Sequence, residues 1–292
     1  MCARYLVRYK SHPVDPRRAY NCAAIAIQAQ KNQKSKSAVR KGKTPMIKRY
    51  PILCALLLSC ASAFAQTGPQ VVSEVNVATP KPGMQSQFEE GRKRHSAFHA
   101  AQKDTWSIYV WEVRTGDRTG AYIMASPGHN WKEFDAREAF NKLDLPDVEK
   151  NLNPYSIAAG TTYYAWREDL SLTKPSFPPA KMRTSAYYSV IPEHVNDFTD
   201  AIKKINDAIR KTNYPAKPSR WYQLANGGEV PTFVLISDRA SWADMEPLDK
   251  KLEDVLKEAY GDSGALDQLR KSCRRIVSEM SVYRADLSYV PK

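Results

Sequence analysis

Trp166-Arg167-Glu168-Asp169-Leu170-Ser171 (WREDLS) returns near the end of the chain as Tyr283-Arg284-Ala285-Asp286-Leu287-Ser288 (YRADLS), 117 residues later. Working outward, Phe88 and Phe198 stand 110 residues apart, Trp111 and Trp221 also 110, and Trp131 and Trp242 111. One offset with small insertions accounts for all four anchors, which marks an internal repeat. Between the halves lies SLTKPSFPPAKMR, Ser171 to Arg183. Its Pro175, Pro178 and Pro179 suit a semi-rigid connector and would be rejected by a helix interior or a central strand. The repeat therefore divides the body of the chain into residues 66–171 and 184–292, with 172–183 as the linker.

Within each half the hydrophobic period changes in the same order. Val71, Val72, Val75 and Val77 sit in an extended segment that ends at Pro80-Lys81-Pro82-Gly83, and helical spacing follows from Met84 to about Lys103. TWSIYVWEV (Thr105 to Val113) and AYIMAS (Ala121 to Ser126) flank a turn at Thr115-Gly116-Asp117 and read as a hairpin. A less regular helical region starts at Trp131, and a strand around Thr161 to Arg167 closes the half. The second half predicts a strand over Ser185–Val190, a helix over Val195–Asn213, and strands over Arg220–Leu224 and Thr232–Ile236. Helices over Leu248–Tyr260 and Ala265–Val277 and a strand over Glu279–Ala285 complete it. Each half is thus βαββαβ, the ferredoxin-like order, and the fold class is α+β. In TWSIYVWEV, Trp106, Ile108 and Val110 share one face and Tyr109, Trp111 and Val113 the other, so both faces expect cover. Two such sheets in one chain would cover each other.

This arrangement, with KPGMQSQFEEGRKRHSAFH (Lys81 to His99), resembles the dimeric α/β-barrel superfamily of antibiotic-biosynthesis-type monooxygenases and EthD-like and NIPSNAP-like proteins. The local likeness is Pro-Gly, a helical Phe and a His near the helix end, and the topological likeness spans nearly all of residues 71–288. The resemblance implies a tandem, pseudo-dimeric barrel with a substrate or haem pocket between helix and sheet.

The N-terminus reads differently. Of the formal net charge of +13, residues 1–45 hold eleven Lys and Arg against one acid, and Lys48 and Arg49 add two more, leaving +1 on residues 66–292. A near-neutral body lacks the basic footprint of a nucleic-acid binder. MIKRYPILCALLLSCASAFAQ, from Met46, has a cationic start, an apolar stretch from Ile52 and an Ala63-Phe64-Ala65 cleavage signal, the layout of a secretory signal peptide over residues 46–65. The apolar run is too short to span a membrane. Residues 1–45 then read as an over-extended start or a disordered segment, and the product as exported, periplasmic or secreted. Leu57-Leu58-Ser59-Cys60 offers the rival of a lipid anchor at Cys60. Cleavage after Ala65 leaves Cys273 as the sole cysteine, which the helical spacing of Leu266, Leu269, Cys273 and Ile276 marks as a buried small hydrophobe.

The repeat also singles out a site. At an offset of 110, Phe88 meets Phe198 unchanged, but Arg92, His95 and His99 stand where the second half has Ile202, Ile205 and Ile209. Those isoleucines follow Phe198 at i+4, i+7 and i+11, the stripe a helix lays on its sheet. Ionisable groups there need partners or water. The functional expectation is a pocket lined by Arg92, with Trp106 and Tyr109 as sheet aromatics and His95 or His99 as a base; the second half would have filled its equivalent with isoleucine. The competing expectation is a helix rotated to bury Met84, Phe88, Gly91, His95 and Phe98, with His95 a satisfied core histidine. Two histidines at i and i+4 are too few to hold a metal, no third ligand is evident nearby, and no metal is assigned. No cofactor is assigned, and haem ligation stays open without a specific signal. Arg167 and Arg284 are expected to pair with Asp169 and Asp286, and His129 and His194 to serve a loop and a helix start.

Three roles stay open on the sequence: binding a small organic molecule, cofactor-free oxygenation or related chemistry with a His base, and a structural or partner-binding role. The chain is expected as a monomer or homodimer.

Overall fold

The computed structural model describes residues 70–292. The leader-like segment, Cys60 and residues 1–45 lie outside the described residues. Strand β1 (Val72–Pro80), helix α1 (Gln85–Ala101), β2 (Tyr109–Val113), β3 (Tyr122–His129), α2 (Trp131–Asn151) and β4 (Ser156–Arg167) form the first run. Strand β5 (Met182–Val190), α3 (Val195–Lys211), β6 (Ser219–Asn226), β7 (Thr232–Arg239), α4 (Leu252–Tyr260), α5 (Gly264–Lys271) and β8 (Cys273–Tyr283) form the second. The architecture is α+β, and the eight strands close into one barrel in the order β1-β3-β2-β8-β5-β7-β6-β4. Every neighbouring pair is antiparallel. Strands of the first run are contiguous as β4-β1-β3-β2, and those of the second as β8-β5-β7-β6, the same internal order. The seams are β2 with β8, where Trp111 faces Tyr283, and β4 with β6, where Arg167 faces Trp221.

The recurring hexapeptides belong to these seams. After β4 and after β8 the chain makes a single 3₁₀ turn, Glu168–Leu170 and Ala285–Leu287. In each, the arginine clasps the aspartate two residues on: Arg167 Nε donates to Asp169 at 2.8 Å and Arg284 Nε to Asp286 at 2.9 Å. The serine bonds the arginine carbonyl and accepts a strand N–H from the other run, Trp221 N to Ser171 Oγ and Val110 N to Ser288 Oγ, both at 2.9 Å. The leucine, fully buried in both, is a wedge beneath the other run's helix. Leu170 packs with Phe198 and Ile202 of α3, and Leu287 with Phe88 of α1. Asn206 Nδ2 donates to Leu170 O at 2.7 Å, and Arg92 Nε and Ser96 Oγ to Leu287 O at 3.1 and 3.0 Å.

Three expectations need correction. Strand β2 begins at Tyr109 rather than Thr105, with Ile108 in a single bridge to Tyr289. Asp104 takes the Trp106 N–H onto its carboxylate at 3.1 Å, which turns residues 104–107 out of the ladder. The last helix ends at Lys271, not Val277, and Cys273 opens β8, opposite Val190. Leu266, Leu269, Cys273 and Ile276 do mimic a helical stripe, but β5 offers a full-length partner to Cys273–Tyr283, and the ladder overrides local spacing. Cys273 is half-buried there, its Sγ–H donating to Leu269 O at 3.3 Å, and burial pushes the thiol up to about 11. The helix before it starts at Leu252 rather than Leu248.

The connector lies against the barrel. Pro175, Ser176, Phe177 and Pro179 border a cavity of about 80 Å³ in the interior, where Arg183 sits 3.7 Å over the Trp111 ring. Among the described residues, no helix is long and apolar enough to cross a membrane.

Candidate functional site

Helix α1 buries Phe88, Gly91, Arg92, His95 and His99 against β1, β3 and α2. Met84 is exposed and Phe98 only half-buried, so the helix stands in the register that inters Arg92 and His99, at 2% and 0% exposure. The rotated alternative is set aside. Gly91 permits the close approach of α2: a Cβ there would lie 1.9 Å from the Asn151 carbonyl oxygen. Strands β1, β3 and β4 and helices α1 and α2 enclose a cavity of about 430 Å³ bordered by Arg92, His95, Trp106, Arg137, Asp144 and Glu74.

The polar groups of α1 meet α2 and the loop before β2. His95 Nδ1 lies 2.6 Å from Asp147 Oδ2, and Asn151 Nδ2 donates to the other oxygen of Asp147 at 2.9 Å. His99 Nδ1 lies 2.8 Å from Asp104 Oδ2. Asp104 also accepts both terminal nitrogens of Arg137, Nη2 at 2.8 Å. The rings meet at their far ends, His95 Nε2 to His99 Nε2 at 3.1 Å. Asp144 Oδ1 sits 3.4 Å from His99 Nε2 and 3.6 Å from His95 Nε2, buried and, among the described residues, without a hydrogen bond. His99 is clamped between the Phe140 and Tyr289 rings, at 5.5 and 5.4 Å.

The electrostatics follow from burial. It is the main cause that pushes His95 down to about 3, helped by the Arg92 charge, so His95 is neutral at pH 7. Burial likewise lowers Arg92 to about 10 against the pull of Asp144 and Asp147, and raises the Asp144 carboxyl. Burial would raise Asp104 too, but His99, Arg137 and the Trp106 N–H hold it well below the usual carboxylate range. Among the described residues, the buried Arg92 Nη2 has no hydrogen-bond partner.

Of the residues singled out by sequence, Arg92, His95 and Trp106 share the cavity wall, and His99 stands behind His95 without bordering it. Tyr109 does not join them. It lies on the opposite face of β2, stacked on Phe177 at 4.8 Å and packed with Trp111. Trp106 instead lies before the strand, in the segment that Asp104 turns out of the ladder. The expectation of a filled second cleft is also overturned, because Ile202, Ile205 and Ile209 border a cavity of about 480 Å³ with Trp221 and Tyr188. Both clefts are open; acidic, basic and imidazole groups share the first, while the second places Lys217, Arg239 and Arg270 around its isoleucines. His129 supports the site, stacking on Trp106 at 3.6 Å with its Nε2 2.8 Å from Ser126 Oγ. His194 lies outside it, 2.8 Å from Asp197 at the start of α3.

Asp104, Arg137, Asp144 and Asp147 were missed. Asp144 and Asp147 stand at i and i+3 in the second helix, a spacing that shares a face and could have been matched to the His95/His99 pair. The third donor that seemed to be lacking is therefore Asp144, and His95, His99 and Asp144 each bring one ligand atom within 4.8 Å of the others. A porphyrin would need an imidazole Nε2 facing open space. Both Nε2 atoms here are turned onto each other, so the donor set suits one small ion better than a haem.

No protein-family model matches the chain, and no curated protein matches it. Solved structures similar to it include a monooxygenase candidate from Lactobacillus acidophilus NCFM, at 10% identity over 77% of this chain and 97% of that one, with a TM-score of 0.46. An anthrone oxidase-like protein aligns at 12% identity over 73% and 91%, TM-score 0.48. A variant of chlorite dismutase from Candidatus Nitrospira defluvii aligns at 10% over 74% and 92%, TM-score 0.47. Identities this low transfer no residue role.

Proposed function

We propose that the cleft between α1, α2 and the sheet binds a small organic molecule carrying an anionic or carbonyl oxygen. The observation that carries this reading is Arg92: a guanidinium at 2% exposure on the cavity wall, its Nε donating to Leu287 O. A hydrogen bond to a charged group contributes about 1.5–3 kcal/mol, which an acceptor on a ligand would supply. Trp106, held between the His129 ring and the Arg137 guanidinium, offers a flat apolar wall for the rest of the molecule. The test is native mass spectrometry of the protein purified without chelator or dialysis, beside Arg92→Ile. A bound organic mass that Arg92→Ile loses supports the reading; a mass retained by the variant overturns it.

A second reading, catalysis with His95 as base, draws on the Asp147 carboxylate at 2.6 Å, which orients the ring as in other acid-oriented imidazoles. Against it, an imidazole pushed down to about 3 is a poor base at neutral pH. His95→Gln that keeps binding but abolishes turnover would decide for it.

We further read the two runs as a tandem, pseudo-dimeric duplication, supported by the shared strand order and the matching turns. Residues 46–65 are read as an export signal. An exported product whose first residue is Gln66 is the expected outcome of N-terminal sequencing, against the alternative of lipidated Cys60.

A further inference from the structure

We propose that His95, His99 and Asp144 form a binding site for one first-row divalent transition-metal ion at the back of the first cleft. Three lone-pair donors converge on one point, with edges of 3.1, 3.4 and 3.6 Å between His95 Nε2, His99 Nε2 and Asp144 Oδ1. An ion bound at about 2.0–2.2 Å to nitrogen and oxygen sets neighbouring ligand atoms roughly 3.0–3.5 Å apart. The donors already stand at nearly those separations.

The outer ring nitrogens are each taken by a carboxylate, His95 Nδ1 by Asp147 at 2.6 Å and His99 Nδ1 by Asp104 at 2.8 Å. The two Nε2 atoms are left facing each other at 3.1 Å, beside Asp144 Oδ1, which has no hydrogen bond among the described residues. A cation at their meeting point satisfies all three. The outer groups match: Asp147 on His95 and Asp104 on His99 form carboxylate–histidine pairs that fix each ring with Nε2 inward. Those carboxylates are held in turn by Asn151 and Arg137.

Two imidazoles and one carboxylate select zinc, iron(II), cobalt(II) or nickel(II) over the all-oxygen preference of magnesium and calcium. Because His95 and Asp144 border the cavity, the remaining coordination positions would face the cleft. The second run shows the same stripe without donors, as Ile202, Ile205 and Ile209. The site stands whether or not an organic molecule binds beside it.

The experiment strips the full chain with a chelator, titrates cobalt(II) while following its visible absorption, and displaces it with zinc. The expected result is one ion per chain, a rise in melting temperature on loading, and at least a tenfold loss of affinity in Asp144→Asn. Asp147→Asn, which only positions His95, should weaken binding by about 10–100-fold. If a His95 or His99 variant fails to fold by circular dichroism, Asp144→Asn decides, since Asp144 Oδ1 has no hydrogen bond to lose. No binding of either ion at about 100 μM, enough to fill roughly nine-tenths of a site with a Kd of about 10 μM, overturns the proposal. So does an affinity unchanged in Asp144→Asn.

Discussion

Arg92 occupies the position that Ile202 fills in the second run, and the exchange of an isoleucine for a guanidinium sets the first cleft apart. Because Ser96 Oγ also donates to Leu287 O, the loss of Arg92 leaves that carbonyl bonded. Arg92→Ile is therefore expected to fold and to gain roughly 1 kcal/mol in chemical denaturation, the release of one unmet buried donor. A loss of stability would mean that the charge of Arg92 against Asp144 and Asp147 outweighs its desolvation. Glu89 belongs to the same scale. Arg284 holds its carboxyl down at about 2 against the opposing effect of burial, with Tyr122 donating as well. A carboxyl depressed in the folded state contributes stability above its unfolded value of 4.5 and loses it as pH falls toward 2. Thermal melts across that window should fall less steeply for Glu89→Gln than for the natural chain.

Helix α1 owes its place to one glycine. At 1.9 Å from the Asn151 carbonyl, a methyl group at Gly91 would force α2 away, and overpacking of this kind costs about 1–3 kcal/mol. Gly91→Ala is expected to lower stability by that amount and, by moving Asp144 and Asp147, to weaken any ligand or ion at the His95 pair. Hydrogen exchange should show the loss concentrated where α1 meets α2. This consequence was only half legible in the sequence. Comparison with Phe198, Ile202, Ile205 and Ile209 offered the observed register of α1 as one of two, whereas α2 has almost no apolar stripe, with Asn151 its single buried residue. It meets α1 through Asp144 and Asp147 and the Phe140 ring, and apolar periodicity carries no signal for the two carboxylates.

Across the whole molecule, the two runs exchange wedges, Leu287 beneath α1 and Leu170 beneath α3. Removing either leaves a cavity where its side chain is fully buried, so Leu170→Ala and Leu287→Ala should each cost about 2–5 kcal/mol. Because each leucine ends one run and supports the other, exchange protection should fall in α3 for Leu170→Ala and in α1 for Leu287→Ala. Loss confined to the run that carries the mutation would refute the exchange.

The sequence by itself determined the order of elements and the pairing of Arg167 and Arg284 with their aspartates, and it narrowed the buried face of α1 to two registers. Both are local, set by period, turn chemistry or a residue two positions away. Tertiary structure alone decided that the last strand begins at Cys273 rather than Glu279, because the partner that extends it, β5, lies far off in the chain. It decided equally which register α1 takes, that the second cleft stays open, and that Asp104, Asp144 and Asp147 reach the histidines. A carboxylate gains meaning from what faces it, and what faces these three is set by how α2 and the loop before β2 pack on α1.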